Sequence, residues 1–260
     1  MDRCFIIDEK FIKAKGDLLG QEYKMILHEY TKSSMDKYII TNNLFCPSIT
    51  ENINGFVRKY KCIPVGGIAF IKNALEVTTG SDRMNPLEIP KELRHFLKRE
   101  YKIIPGKKIE DNILTSDKYF IKDATELKTY NNLLNPYSAK YEIDINHNFV
   151  VTEMVNFLSE FRIFIYNDKI QSIQHYLGDP LVFPDSSIIK KCIETYSKIK
   201  HPKSYTLDIG IRMYKENLIT EPIEVHPFAA CGLYGFHDEC VLNMLEDGWD
   251  WYIQENKEVI

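Results

Sequence analysis

The chain has 260 residues, a formal net charge of −4 and six cysteines. With 44% hydrophobic and 27% charged residues, it has the material for a packed core and is unlike a disordered protein. The mild negative charge supplies no global field toward nucleic acid or a membrane, and no apolar run approaches the roughly 20 residues of a membrane span.

The opening residues alternate strand and helix. Residues 3–7 read as a first strand, residues 21–30 as a helix with Tyr23, Ile26, Leu27 and Tyr30 on one face, and DKYIIT as a second strand. IPVGGIAFI reads as strand, turn and helix, with Gly66 and Gly67 as structural glycines of the turn. A small α/β lobe over residues 1–80 is predicted. Asp2 and Arg3 precede only the short apolar run FII, so no signal peptide is expected. The cysteines show no CxxC pair, and six free thiols in a cytoplasmic protein are expected.

Residues 78–105 are richer in proline and charge and read as the crossing into a second region, residues 81–260. PLEIPKELRHFLKREY supplies a helix behind Pro90, and the basic runs HFLKREYK and PGKK read as solvated faces. Strands then dominate: KYFIK, FVVTEMV, SEFRIFIYND and KIQSIQHYL, the last two joined by Asn167-Asp168, which is good β-turn chemistry. Residues 186–200 read as a helix with Ile188, Ile189, Cys192, Ile193 and Tyr196 at helical spacing. Two further strands, SYTLDIGI and EPIEVHPF, precede a helical tail over residues 238–256. The class is mixed: an α/β lobe followed by an α+β region of antiparallel strands.

Those last two strands carry the sharpest chemical signal. Each is apolar and β-branched, yet holds one acid, Asp208 or Glu224, and burying a carboxylate costs roughly several kcal/mol unless something compensates it. On consecutive strands joined by MYKEN, the two acids suit a hairpin that offers oxygen ligands to a hard cation such as Mg2+. Upstream, Lys122 ends an apolar strand and Lys128 follows after a short loop; two such lysines can hold phosphates as point charges, although either alone reads as a surface residue. Glu153 ends another strand. Glu160 and Arg162 share a strand face, which suits either a surface ion pair or a ribose-binding acid beside a phosphate-binding guanidinium. No P-loop motif occurs.

Taken in order, FIKDATELKTY, TEMVNFLSEFRIFI, QHYLGD, YTLDIGI and IEVHPFAACGLYG, together with IPVGGIAFI, resemble the ATP-grasp superfamily, and within it the clade named for one arginine and two lysines. The resemblance implies an ATP-grasp fold in which the N-terminal α/β lobe is followed by two α+β subdomains with the ATP cleft between them. It implies ATP phosphates on Lys122 and Lys128, and adenine at a hinge formed by Glu153 and the backbone of Met154 and Val155. It further implies ribose on Glu160, phosphates or the reacting acyl group on Arg162, and Mg2+ on Asp208 and Glu224. Arg162 and Lys128 are the residues it marks for catalysis.

His226 departs from the pattern, because such families usually place Asn there as a third metal ligand; imidazole suits softer metals such as Mn2+ or Zn2+ better than Mg2+. His226 is therefore read as a metal ligand beside Asp208 and Glu224, as a residue facing substrate, or as the mark of a weakened site. His175 reads as a packed histidine that could line a substrate site. The implied activity is ATP-dependent carboxylate–amine ligation through an acyl phosphate, on a small-molecule, amino-acid or peptide substrate, with no nucleic-acid or membrane partner. The alternatives are a non-ligating ATP-binding regulator and a kinase-like phosphotransferase.

Overall fold

The computed structural model describes residues 5–8, 38–41, 62–109, 117–131 and 143–257. Strands β1 (Phe5–Asp8), β2 (Tyr38–Thr41) and β3 (Ile63–Val65) form a parallel sheet in the order β2-β1-β3. All four residues of β1 are buried, as expected of a continuous apolar strand in a parallel sheet. Helix α1 (Ile68–Thr79) follows the paired glycines and ends at Gly80, which adopts φ 84° and donates its amide to the Glu76 carbonyl at 2.8 Å. Gly66 is required by close approach, since a Cβ there would lie 2.9 Å from Asp8 Cβ and 2.8 Å from the Phe70 ring. The helix expected over residues 21–30 lies outside the described residues.

The helix expected behind Pro90 is shorter than the sequence pattern predicts. A 3-10 helix spans Lys91–Phe96, Leu97 is already extended, and strand β4 runs Tyr101–Pro105. The Glu221 carboxylate accepts the Lys98 amide at 2.7 Å, which ties this segment to a distant strand and ends the helix. Strand β4 pairs with β6 (Asn148–Glu153), which pairs with β5 (Tyr119–Asp123), in an antiparallel sheet ordered β4-β6-β5.

The third sheet is antiparallel, built from β7 (Ser159–Tyr166), β8 (Lys169–Gly178), β9 (Ser204–Tyr214) and β10 (Asn217–Pro227) in the order β10-β9-β7-β8. Its two hairpin turns place both central residues at positive φ: Asn167 and Asp168 at 49° and 59°, Lys215 and Glu216 at 45° and 65°. One face buries Phe161, Ile163, Leu207, Ile209 and Val225 against α2 (Ser186–Tyr196), which is capped by Asp185 accepting the Ser187 amide at 2.8 Å. The period-2 alternation turns Glu160, Arg162 and Asp208 to the opposite face. Helix α3 (Val241–Lys257) packs Trp249 and Tyr252 into a core shared with β1, β3 and α1, so residues on both sides of position 80 build the same cluster.

Cys192 and Cys240 carry free thiols, whereas Cys62 is disulfide-bonded. This corrects the expectation of six free thiols: sequence spacing does not report which cysteines meet through space. Among the described residues, no helix is long and apolar enough to cross a membrane.

Candidate active site

Two cavities meet between the β4-β6-β5 sheet and the edge strand β10. The first, about 210 Å³, is walled by apolar and aromatic side chains such as Tyr101, Phe120, Val150 and Phe157, and by Glu153, Met154 and Val155. The second, about 260 Å³, is lined by Glu88, Lys128, Tyr130 and His226. Lys122 and Glu224 line both.

Strand alternation explains the position of Lys122. Ile121 and Asp123 are buried beneath β5, which leaves Lys122 on the cleft side. Its Nζ lies 3.0 Å from Glu224 Oε2 and 3.3 Å from Glu88 Oε1. Burial opposes the ammonium, but these carboxylates outweigh it and raise the Lys122 pKa. Burial likewise opposes the Glu224 carboxylate, and Lys122 leads the cations that hold it down at about 2. For Glu88 burial wins, and its pKa rises despite Lys122.

Arg162, Asp208 and Glu224 form a row across three adjacent strands, because Arg162 pairs in register with Asp208 and Asp208 with Glu224. Arg162 grips Asp208 with two bonds, Nε to Oδ1 at 2.8 Å and Nη2 to Oδ2 at 2.7 Å, and Nη2 stands 4.0 Å from Glu224 Oε1. Its Nη1 donates to the Gly232 carbonyl at 3.0 Å. The guanidinium carbon sits 4.9 Å from the Tyr234 ring centre, and Tyr234 stacks on Tyr176 at 5.0 Å. Glu160 does share the Arg162 face, but it accepts the Tyr176 hydroxyl at 2.6 Å and lines neither cavity.

Lys128 is held at φ 57°, an uncommon conformation for a residue with a Cβ, and its amine donates to the Ala230 carbonyl at 2.9 Å. His226 is 7% exposed, with Nδ1 2.9 Å from the Pro227 carbonyl. A carbonyl only accepts, so Nδ1 carries the proton and Nε2 keeps its lone pair. Burial, reinforced by Lys128 and Arg162 against the pull of Glu224, lowers the His226 pKa to about 4 and keeps the ring neutral. At the hinge, the Glu153 amide is spent on the Glu100 carbonyl at 3.0 Å and the Met154 amide on the Lys118 carbonyl at 2.7 Å. His175 packs edge-on against Phe161 at 5.2 Å.

The fold thus puts the sequence-predicted Lys122, Lys128, Glu224 and His226 around one cavity and the hinge residues around the other, with Arg162 and Asp208 directly behind Glu224. Glu88, Asp123, Tyr176 and Tyr234 join them without a signal in the sequence pattern. The solvated reading of HFLKREYK is corrected at Arg99: that side chain is 3% exposed, and its Nη1 lies 3.1 Å from Glu221 Oε1. Arg212 Nε binds the same oxygen at 2.7 Å. Glu221 is a readable clue, since an acid in an apolar strand requires a cation.

The donor chemistry fits a divalent cation. Two carboxylates in adjacent strand register suit Mg2+ or Mn2+, which carboxylates hold together with substrate phosphates, and a neutral imidazole nitrogen beside them suits a cation softer than Mg2+. Among the described residues, no group of three Asp, Glu, His or Cys is placed to hold an ion alone.

No curated protein matches the chain. Among solved structures it is similar to a D-alanine–D-alanine ligase from Bacillus anthracis complexed with ATP, at 12% identity and TM-score 0.48, covering 98% of this chain and 99% of the other. D-alanyl-alanine synthetase A from Vibrio cholerae gives 10% identity and TM-score 0.44, covering 95% and 100%. The ATP-grasp ligase PsnB complexed with a minimal precursor gives 8% and 0.42, covering 97% and 100%. The family model of the ATP-grasp domain, family 2 of the clade named for one arginine and two lysines, matches residues 96–244, more than half of the chain. The chain belongs to the ATP-grasp superfamily, in the second family of that arginine-and-two-lysines clade.

Proposed function

We propose that this chain is an ATP-dependent carboxylate–amine ligase, working through an acyl phosphate and releasing ADP and phosphate. The observation that carries the reading is the pair of cavities joined at Lys122 and Glu224, one walled by apolar and aromatic groups and the other rimmed by lysines. A nucleoside triphosphate has the matching polarity: a flat base for the first cavity and a polyanion for the second. The backbone near Val155 would read the base, since the amides of Glu153 and Met154 are already used. Residues 81–260 would hold this machinery, with residues 1–80 and the loops around residues 178–185 framing a small-molecule, amino-acid or peptide substrate.

In the reaction, a substrate carboxylate oxygen attacks the γ-phosphorus and ADP departs. An amine nitrogen then attacks the acyl carbon, loses a proton and expels phosphate. The chain's part is positioning and charge neutralisation: Lys122 and Lys128 on the phosphates, Arg162 beside the transferred group. Asp208 and Glu224 would hold Mg2+ or Mn2+, which supplies further neutralisation of phosphate oxygens when bound. Lys122, paired with Glu224 across the cleft, stands where the two cavities join and would reach the phosphates from there. No protein nucleophile is required.

The test is ADP release from ATP with Mg2+ across a panel of amino acids and short peptides. Turnover with one acceptor, lost in Asp208→Asn and in Glu224→Gln, is expected. Full activity in both variants would sink the site assignment. Tight ATP binding with no ADP release under any acceptor would instead favour a non-ligating nucleotide-binding protein, a reading supported by both acids already being neutralised by the chain's own cations. A stable phosphorylated product would indicate a phosphotransferase.

A further inference from the structure

One carboxylate organises the turn that follows β5. The Asp123 side chain is 3% exposed and accepts four hydrogen bonds. Its Oδ1 takes the amides of Thr125 at 2.7 Å and Glu126 at 3.1 Å, and its Oδ2 takes the Thr129 hydroxyl at 2.6 Å and His147 Nδ1 at 2.7 Å. The turn is closed at its base by the Asp123 amide bonding the Tyr130 carbonyl at 3.1 Å. It is fastened outward by the Ala124 amide to the Asn148 carbonyl at 2.8 Å and the Leu127 amide to the Met84 carbonyl at 2.9 Å. Glu126 is ion-paired with Lys72 of α1.

Lys128 stands inside this frame in the left-handed region, φ 57°, which residues with a Cβ rarely adopt. Such a conformation persists only when its surroundings impose it. The imposing group is Asp123, which fixes residues 125 and 126 before Lys128 and residue 129 after it. A carboxylate close to a phosphate pocket would ordinarily repel the ligand. Asp123 borders the same second cavity as Lys122, but its charge is spread over four donors and its side chain is almost fully enclosed by them.

We propose that Asp123 is a positioning residue for the phosphate end of the nucleotide: it templates the turn that holds Lys128 left-handed, with its amine at the second cavity. This rests on the nucleotide reading given above. Its carboxylate oxygens are taken up by the turn and by His147, so it acts through Lys128, and its removal should be felt by the phosphates and not by the base.

Calorimetry on the full chain with ATP and with adenosine, which lacks phosphates, tests this. Asp123→Asn is expected to weaken ATP by about tenfold while adenosine stays within about twofold. In a double-mutant cycle, Asp123→Asn should cost nothing further once Lys128→Ala is present. Thr129→Val deletes one donor and keeps the carboxylate; it should give a smaller loss in the same direction, and it serves as the probe if Asp123→Asn does not fold. Equal losses for ATP and adenosine, or an undiminished Asp123→Asn effect in the Lys128→Ala background, would overturn the positioning role. Unchanged ATP affinity in Asp123→Asn and in Thr129→Val overturns it too and leaves the nucleotide reading standing. Failure of the unaltered chain to bind ATP overturns both.

Discussion

Lys122 and Glu224 stand 3.0 Å apart although they belong to different sheets and are separated by 102 positions in the chain. Lys122 rises from β5 and Glu224 from β10, so their ion pair crosses the cleft and is shared by the walls of both cavities. Replacing Lys122 with Met is expected to weaken ATP binding by about 10- to 100-fold, the range for a lost hydrogen bond to a charged group. Calorimetry with and without Mg2+ measures it. Affinity equal to that of the unaltered chain would remove Lys122 from the phosphate site.

The Asp123–His147 pair predicts a pH window for stability. The hydrogen bond to Asp123, helped by the charges of Asp123, Asp144 and Glu126, raises the His147 pKa. Burial works against the Asp123 carboxylate, but hydrogen bonds from Thr129, His147 and the turn amides outweigh it and lower its pKa. The His147 contribution is therefore full below its unfolded value, about 6.5, and is lost as pH rises through the folded value. The Asp123 contribution is present above its unfolded value, about 3.9, and is lost as pH falls through the folded value. Urea unfolding between pH 5 and 9 should show a larger alkaline loss of stability in the unaltered chain than in His147→Gln. Identical pH profiles would exclude the linkage.

Glu221 is fully buried, and one of its oxygens serves both Arg99 and Arg212. Glu221→Ala leaves two guanidinium groups in the interior with their shared counter-charge removed. A destabilisation of about 3–5 kcal/mol is expected by chemical denaturation, as for other broken buried ion pairs. A loss below about 1 kcal/mol, the scale of a solvated surface pair, would show that water reaches the arginines.

Gly210 carries the wall of the first cavity. A Cβ there would fall 2.2 Å from the Phe157 ring, so Gly210→Ala must drive Phe157 out of its seat. A stability loss of roughly 1–3 kcal/mol is expected, the usual cost of overpacking, with weaker adenosine binding measured by calorimetry. Unchanged adenosine affinity would separate Phe157 from the base site.

The sequence by itself determined what depends on near neighbours. Alternating apolar residues marked β5 to β10 of the antiparallel sheets, because the side-chain period of a strand is two whatever the strand pairs with, whereas β4 stayed hidden in the proline- and charge-rich crossing. Hairpin contiguity made Asp208 and Glu224 legible as a pair, since two strands joined by a short turn must lie side by side. The same logic put Glu160 and Arg162 on one face of β7. Tertiary structure decided which charges meet. Nothing local tells that Arg162 turns to Asp208 while Glu160 turns to Tyr176, or that Arg99 leaves a basic run to enter the interior beside Glu221. Exposure of a charge is set by what packs over it, and for Arg99 that is a strand more than 120 positions away. The tight turn after β5 was likewise unreadable: an aspartate beside a lysine looks like an ordinary solvated pair. Only the folded chain brings His147 and Thr129 to Asp123, and so gives Lys128 its place at the cavity.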